Sequence, residues 1–293
     1  MRIAVVTTSW PRFEGDPSGH FVAAEVRALT RCGEDVVVIA GKGAAFGWPG
    51  LAARVKQAPL RIVGAADWVA RARREVDRGG FDRVVAHWAL PCAWPIAIRG
   101  AHALEVVSHG GDVRLLCRLP GPLAAHITGE IALRARAWRF VSAPLLASLV
   151  DALPLRTTKL VERVAVIAPC AIDVERPAEA VIAAKRAQVG AAFAVCVARL
   201  VPSKRVEDAI AWARREALPL VVVGDGPERE SLEHLARATR AEDTPVHFVG
   251  RTTRDEALAW IASSARLVQP SRAEGLSTVV REAEILGVPV TSL

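Results

Sequence analysis

The chain has 293 residues, of which 52% are hydrophobic and 24% charged, a balance that excludes a disordered or fibrous protein and leaves length for two domains with buried cores. No apolar run reaches the ~18 residues needed to cross a bilayer, and Met1-Arg2-Ile3-Ala4-Val5-Val6 enters a strand without the layout of a secretory leader, so a cytoplasmic protein is expected. The net charge of +7 is uneven: residues 1–168 hold 22 Lys/Arg against 14 Asp/Glu, and the remainder 16 against 17.

That basic first half has two readings. One is a solvated, arginine-rich surface. The other is a face for an anionic partner: a phosphorylated acceptor or an acidic membrane, touched peripherally. Nucleic acid ranks last, because tyrosine is absent and the Trp and Phe residues are scattered rather than interleaved with the cations. The five cysteines, Cys32, Cys92, Cys117, Cys170 and Cys196, show no Cys-x-x-Cys spacing. They are expected to be unbridged, buried thiols in a reducing compartment.

In chain order, strands are predicted at Arg2–Thr8, Asp35–Ala40, Arg83–His87, Leu104–Ser108, Arg139–Ser142 and Val164–Ile167. Their continuous Val/Ile/Ala runs suit parallel strands buried on both faces. Phe21, Val22, Val26 and Leu29 recur at helical spacing after the first strand, and Gly33 stands where a C-terminal cap belongs. The pattern restarts after Pro169–Pro177, with strands at Phe193–Ala198, Leu218–Val223, Val246–Val249, Arg266–Gln269 and Val288–Val290 and helices such as Glu207–Glu216 and Arg229–Arg240. Such alternation predicts an α/β chain of two Rossmann-like, doubly wound parallel-sheet domains, 1–172 and 173–293. In open sheets of this kind ligands bind beyond the carboxyl ends of the strands.

The residues with chemical potential stand just after strands. Pro270-Ser271-Arg272-Ala273-Glu274-Gly275-Leu276-Ser277-Thr278 leads into a helix starting near Ser277 or Thr278, whose first amides, at the positive end of the helix dipole, suit a phosphate. Glu274 in the loop and Glu282 in the helix supply two carboxylates for hydroxyl-rich parts of one ligand, a sugar and a ribose. Earlier, Arg199 and Lys204 follow a strand; a guanidinium fork and an ammonium point charge there suit a diphosphate. With no Asp-x-Asp metal site in such a loop, these cations would stand in for a metal beside the leaving group. Gly224-Asp225-Gly226-Pro227 reads as a tight turn. Taken singly, each of these also reads as ordinary surface charge or a turn. Gly41-Lys42-Gly43…Gly47 lacks dinucleotide spacing, and no Walker motif, nucleophile elbow or zinc spacing appears.

The ordered set Ala198-Arg199-Leu200…Lys204, Val223-Gly224-Asp225-Gly226-Pro227, Phe248-Val249-Gly250, Pro270 through Glu282-Ala283, and Gly287-Val288-Pro289-Val290 resembles the GT-B glycosyltransferases of family 4 (retaining, group 1). Their two glutamates, with seven residues between them, match Glu274 and Glu282. The resemblance implies a GT-B fold, two domains facing a cleft. It also implies transfer of a sugar from a UDP- or GDP-linked donor to an acceptor hydroxyl on a glycan, lipid or small molecule, with retention and without metal or resident cofactor. On the donor side it assigns Gly19, Arg199, Lys204, Gly250, Glu274, Gly275, Leu276, Ser277, Thr278 and Glu282. On the acceptor side it assigns Gly15, Gly19, His109 and Asp112. Glu274 and His109 would stand at the reacting sugar. Ser9-Trp10-Pro11 with Gly15…Gly19-His20-Phe21 looks like the family's glycine loop, and His109-Gly110-Gly111-Asp112 like its His-Gly-x-Asp. Ala86-His87-Trp88-Ala89-Leu90-Pro91 also looks like a family segment, with a packing role for His87. Two departures stand out: Arg205 occupies a position usually held by glycine, and Pro169-Cys170-Ala171-Ile172-Asp173 replaces a commoner Asn-Gly-x-Asp. The chain ending at Leu293 is expected to lack the relatives' closing glycine-rich loop and last helices. A non-catalytic nucleotide-sugar-binding protein is therefore the alternative, with a sugar-nucleotide epimerase behind it. Arg71, Arg74 and Arg78 share a helix face and Arg134, Arg136 and Arg139 cluster; both groups are expected to be solvated, with acidic lipid heads as the other reading.

Overall fold

The structure, a computed structural model, describes residues 1–42, 45–46, 57–190, 192–238, 244–271 and 277–293. Internal contacts divide the chain into two units, Met1–Arg12 with Ser18–Ile172, and Phe13–Pro17 with Asp173–Leu293. Phe13–Pro17 thus groups with the second unit although it lies early in the chain.

The first unit holds a six-stranded parallel sheet of β1 (Arg2–Thr7), β2 (Asp35–Ala40), β3 (Arg83–His87), β4 (Ala103–Ser108), β5 (Ala135–Phe140) and β6 (Ala165–Ile167), in the order β2-β1-β3-β4-β5-β6. Its helices are α1 (His20–Arg31), α2 (Arg61–Arg78), an irregular helical segment Ala89–Ala97, α3 (Gly111–Leu116), α4 (Gly121–Arg134), α5 (Ala143–Val150) and α6 (Leu155–Val164). Ile3, Ala4, Val5 and Val6 in β1 and Val84, Val85 and Ala86 in β3 are fully buried, as central strands with both faces covered require. α1 ends as the sequence announces: Gly33 takes φ 83°, its N–H donates to Thr30 O, and Glu34 N–H donates to Leu29 O, the paired bonds of a glycine C-terminal cap.

The second unit holds β7 (Ala194–Val197), β8 (Leu220–Val223), β9 (Val246–Gly250), β10 (Arg266–Gln269) and β11 (Val290–Ser292) in the order β11-β10-β7-β8-β9, all parallel. Its helices are α7 (Glu179–Val189), α8 (Val206–Arg215), α9 (Arg229–Ala238), α10 (Arg254–Ser263) and α11 (Thr278–Ile285). The strand side chains alternate between two cores. Val195, Val221, Val223 and Leu267 pack with Ile182, Trp260 and Leu286. Ala194, Cys196, Leu220, Val222 and Val268 pack with Ile210, Ala213 and Leu232. The period-2 alternation gives each face its own set of helices, which is what double winding means in residues.

Two strands are displaced from expectation at both ends by two residues or more. β5 starts at Ala135 rather than Arg139: Ala135-Arg136-Ala137 favours helix locally, but α4 stops at Arg134 and the chain pairs at once with β4, Leu104 opposite Ala135. Tertiary pairing overrides propensity there. β11 spans Val290–Ser292 rather than Val288–Val290. Val288 is spent closing α11: its N–H donates to Ala283 O, with Gly287 at φ 75°, and its side chain is buried against that helix. No disulfide joins the five cysteines, but Cys32 and Cys117 are exposed, which corrects the expectation of buried thiols throughout. Both sit in C-terminal cap positions, of α1 and α3, where the side chain turns outward.

Two backbone positions govern the loops after β7 and β8. Gly224 has φ 138°, and a Cβ there would run into the Ala198 carbonyl oxygen. Arg205 has φ 51° and ψ 43°, the left-handed region that costs a side-chain-bearing residue about 1–2 kcal/mol, and its guanidinium meets Asp208 at 2.5 Å. The glycine usual at this position in the similar family has this physical reason. Gly224→Ala is expected to lower stability by about 2–3 kcal/mol, whereas Arg205→Gly leaves it unchanged or raises it by up to about 1 kcal/mol. Urea unfolding of the two variants measures both, and an Arg205→Gly variant clearly weaker than the parent would contradict the strain assignment.

Candidate functional site

In the second unit the strand order reverses beside β7: β8 and β9 lie on one side, β10 and β11 on the other. The connections leave for opposite faces there, which is the position where open α/β sheets bind ligands. Those loops carry Arg199–Lys204 and Pro270–Ser277. Hydrogen bonds tie them to their neighbours. Leu200 N–H donates to Asp225 O, Glu228 N–H to Leu200 O, and Gly224 N–H to Gly250 O. Ser271 Oγ donates to Ser203 O at 3.3 Å. A Cβ on Gly226 would meet the Leu200 carbonyl oxygen, so the β8 turn lies directly on the β7 loop. The loops of Arg199, Lys204, Gly250 and Ser271 are thereby gathered at one sheet edge.

Pro202–Lys204 forms a single tight turn, which sets Lys204 just before α8. Ser277 is the N-terminal cap residue of α11 and Thr278 its first residue, as expected. Glu282 sits inside α11 and is buried, with 5% exposure. Its Oε1 accepts from Arg254 Nη2 at 3.0 Å and Nε at 3.2 Å. Glu274, Gly275 and Leu276 lie outside the described residues, as do Gly43 and Gly47.

Phe13–Pro17 contributes to this unit. Gly15, at φ 76°, accepts from Arg254 N–H through its carbonyl at 2.8 Å. Asp16 is buried and meets Arg251 Nη2 at 3.4 Å. Gly19 belongs to the first unit: at φ 70° it precedes α1, accepts from Val22 and Ala23 N–H, and leaves no room for a Cβ beside Ser9. The glycine-loop residues Gly15 and Gly19 therefore fall in different units.

In the first unit, His109 follows β4 and is partly buried. Its Nε2 is 3.0 Å from His87 Nδ1, and its Nδ1 is 3.2 Å from Cys170 Sγ. The two imidazoles stack at 5.2 Å, with Trp88 at 4.9 Å and Phe21 at 4.7 Å from the His109 ring. Beyond His87, its Nε2 faces Glu25 Oε2 at 3.9 Å, and both Glu25 oxygens accept from Arg139 at 2.5 Å. One proton assignment satisfies the chain: Cys170 S–H donates to His109 Nδ1, His109 Nε2–H donates to His87 Nδ1, and His87 Nε2–H points at Glu25. Both rings are then neutral. Burial pushes His87 down to about 3, with the Arg139 charge adding to it. Burial, His87 and Arg139 push His109 well below the ordinary histidine range. His87 is more than packing: it is the hydrogen-bond partner of His109.

Asp112, expected on the acceptor side, directs its carboxylate inward. Oδ2 accepts from Ala89 N–H (2.8 Å) and Ser108 Oγ (2.7 Å), Oδ1 from His109 N–H and Gly110 N–H (both 3.2 Å). It braces the loop that carries His109 and holds Gly110 at φ 113°. Arg71, Arg74, Arg78 and Arg136 are exposed, as expected of a solvated face, whereas Arg134 and Arg139 are half-buried. Arg134 donates to Gly100 O and His102 O, and Arg139 is bound to Glu25. Arg71 pairs with Asp67 at 2.8 Å. The Arg134 and Arg139 partners are reached by folding, while Asp67 lies one helical turn before Arg71.

Sequence reasoning missed Arg254, Glu25 and the Cys170 contact. Arg254 gave no clear signal: Thr253 caps α10 by accepting from Glu256 N–H, and Asp255 and Glu256 beside it in the first turn already suit the helix dipole.

Two doubly wound units of this kind define the GT-B class, and solved GT-B glycosyltransferases match nearly the whole chain. The chain is similar to the Anabaena Alr3699/HepE structure in complex with UDP (TM-score 0.64, 17% identity, covering 100% of this chain and 80% of that one). It is also similar to the catalytic domain of starch synthase IV from Arabidopsis thaliana bound to ADP and acarbose (TM-score 0.70, 15% identity, covering 99% and 82%). Residues 178–292 match the glycosyl transferases group 1 family, a match confined to the second unit. An uncharacterized glycosyltransferase of Haemophilus influenzae is 40% identical over 73 residues, 25% of this chain and 20% of that protein; the chain spans about a fifth of the length of that relative.

Two measurements test the first-unit network. Asp112→Ala is expected to cost about 3 kcal/mol in denaturant unfolding, because four donors lose one buried acceptor group. For His87, a folded value near 3 against 6.5 when unfolded means that only the unfolded chain takes up the proton between those limits. Stability is therefore complete above about pH 6.5 and falls as pH drops toward 3, by about 2 kcal/mol between pH 7 and pH 5. His87→Gln should remove this share of the slope and leave that of His109, and an equal slope in both proteins would reject the assignment.

Proposed function

We propose that the chain is a retaining glycosyltransferase moving a sugar from a nucleoside diphosphate sugar, UDP- or GDP-linked, to an acceptor hydroxyl of a glycan, lipid or small molecule. The observation that carries the reading is the meeting of the β7 and β10 loops at the point where the strand order of the second unit reverses. Arg199 and Lys204 neutralise the departing diphosphate, so the reaction draws on fixed cations rather than on a metal. The amides opening α11, with Gly275 through Thr278, hold phosphate, and Glu274 holds the sugar. Glu282 accepts ribose hydroxyls. Gly250 keeps the β9 loop close to the β8 turn, and the Gly15–Gly19 loop and His109 serve the acceptor side, with Asp112 fixing the loop of His109. In the transfer, the anomeric carbon–oxygen bond to the diphosphate breaks. The acceptor oxygen bonds to that carbon on the same face, and its proton passes to the departing diphosphate.

UDP in Alr3699/HepE and ADP in starch synthase IV are the ligands of similar folds and support a nucleotide donor here. No helix among the described residues is long and apolar enough to cross a membrane; the reading is a cytoplasmic enzyme whose basic first unit meets acidic acceptors or an acidic membrane face.

The test is release of UDP or GDP from a panel of nucleotide sugars. The parent chain is expected to turn over one donor, and Glu274→Ala to lose about 100- to 1,000-fold while keeping its circular dichroism and melting temperature. Donor binding without turnover in the parent would overturn the transferase reading in favour of a nucleotide-sugar-binding protein. Near-normal turnover by Glu274→Ala would remove Glu274 from the site.

A further inference from the structure

Arg254 is the first residue of α10, and three of its groups are spoken for within the second unit. Nε and Nη2 both grip one oxygen of Glu282, at 3.2 and 3.0 Å. Nη2 also donates to the Asp173 carbonyl. The backbone N–H donates to Gly15 O at 2.8 Å. The pair is sheltered: the side chains are 16% exposed for Arg254 and 7% for Glu282. The guanidinium is planar and is itself anchored at Asp173, so the Glu282 carboxylate is held in one orientation rather than left among the rotamers open to a glutamate on a helix. Pairing also offsets the cost of keeping that carboxylate charged when buried.

A carboxylate is a better acceptor for hydroxyls when its charge is kept and its direction is fixed beforehand. We propose that Arg254 is a positioning residue that presents the Glu282 carboxylate to the ribose hydroxyls of the donor nucleotide. This rests on the donor site argued above. Arg254 acts on Glu282, not on the sugar or the diphosphate, so its effect is specific to the ribose.

A merely structural ion pair and a positioning pair give different results in one measurement. Titration calorimetry on the full chain compares UDP with 2′-deoxy-UDP and GDP with 2′-deoxy-GDP. The parent is expected to prefer the ribose form of the nucleotide it binds by about tenfold or more, the size of one charge-assisted hydrogen bond. Arg254→Lys keeps the charge and loses the fork; it is expected to hold its fold and to cut the preference at least threefold. The neutral double variant Arg254→Gln/Glu282→Gln avoids a stranded buried charge, and its preference should fall to near one. Melting curves accompany each titration.

An Arg254→Lys protein that melts near the parent and keeps the full ribose preference would overturn the positioning role. An unchanged preference in Glu282→Gln, with the nucleotide still tightly bound, would overturn it too while leaving the donor reading standing. Failure of the parent to bind either ribonucleotide would overturn both.

Discussion

Parallel strands deliver every connection at the same edge, and only a reversal in strand order separates the loops enough to admit a ligand. In the second unit that reversal falls between β7 and β10. Everything proposed for the site follows from it. Residues some 70 positions apart in the chain, Ser203 and Ser271, share a hydrogen bond there because adjacent parallel strands must end side by side. A different strand order with the same strands would separate the Arg199–Lys204 loop from the loop leading to α11.

Close approach of backbone to backbone then shapes the edge. Gly224 and Gly226 have no Cβ, and the oxygens of Ala198 and Leu200 occupy the places where one would stand. The turn after β8 supports the loop after β7. Arg205 shows the reverse choice: a left-handed position filled by a residue with a side chain, accompanied by the ion pair to Asp208. The gathered loops are thus braced by small residues and short bonds.

The first unit solves a separate problem, the placing of one imidazole. Asp112 collects four donors and fixes the loop after β4. His87, Cys170 and the Glu25–Arg139 pair fix the ring that this loop carries. A neutral, tautomerically defined histidine results from burial next to a cation rather than from any property of the residue alone. Arg254 has a parallel task in the second unit, orienting Glu282.

Local chemistry made much of this readable in advance. Continuous Val/Ile runs marked buried parallel strands, Gly33 marked a helix end, and Ser277-Thr278 marked the start of α11, because each depends on side-chain size, φ preference or capping within a few residues. The tight turn at Gly224-Asp225-Gly226-Pro227 was readable for the same reason, since its glycines answer to local backbone geometry. What lay beyond reach was partnership across the chain: Arg139 with Glu25, His109 with His87 and Cys170, Arg254 with Glu282. Strand ends also moved where a neighbouring strand or a helix cap claimed the residue, as at Ala135 and Val288. Periodicity carries the elements, but partner, register and charge environment are set by distances that exist only once the sheets have formed.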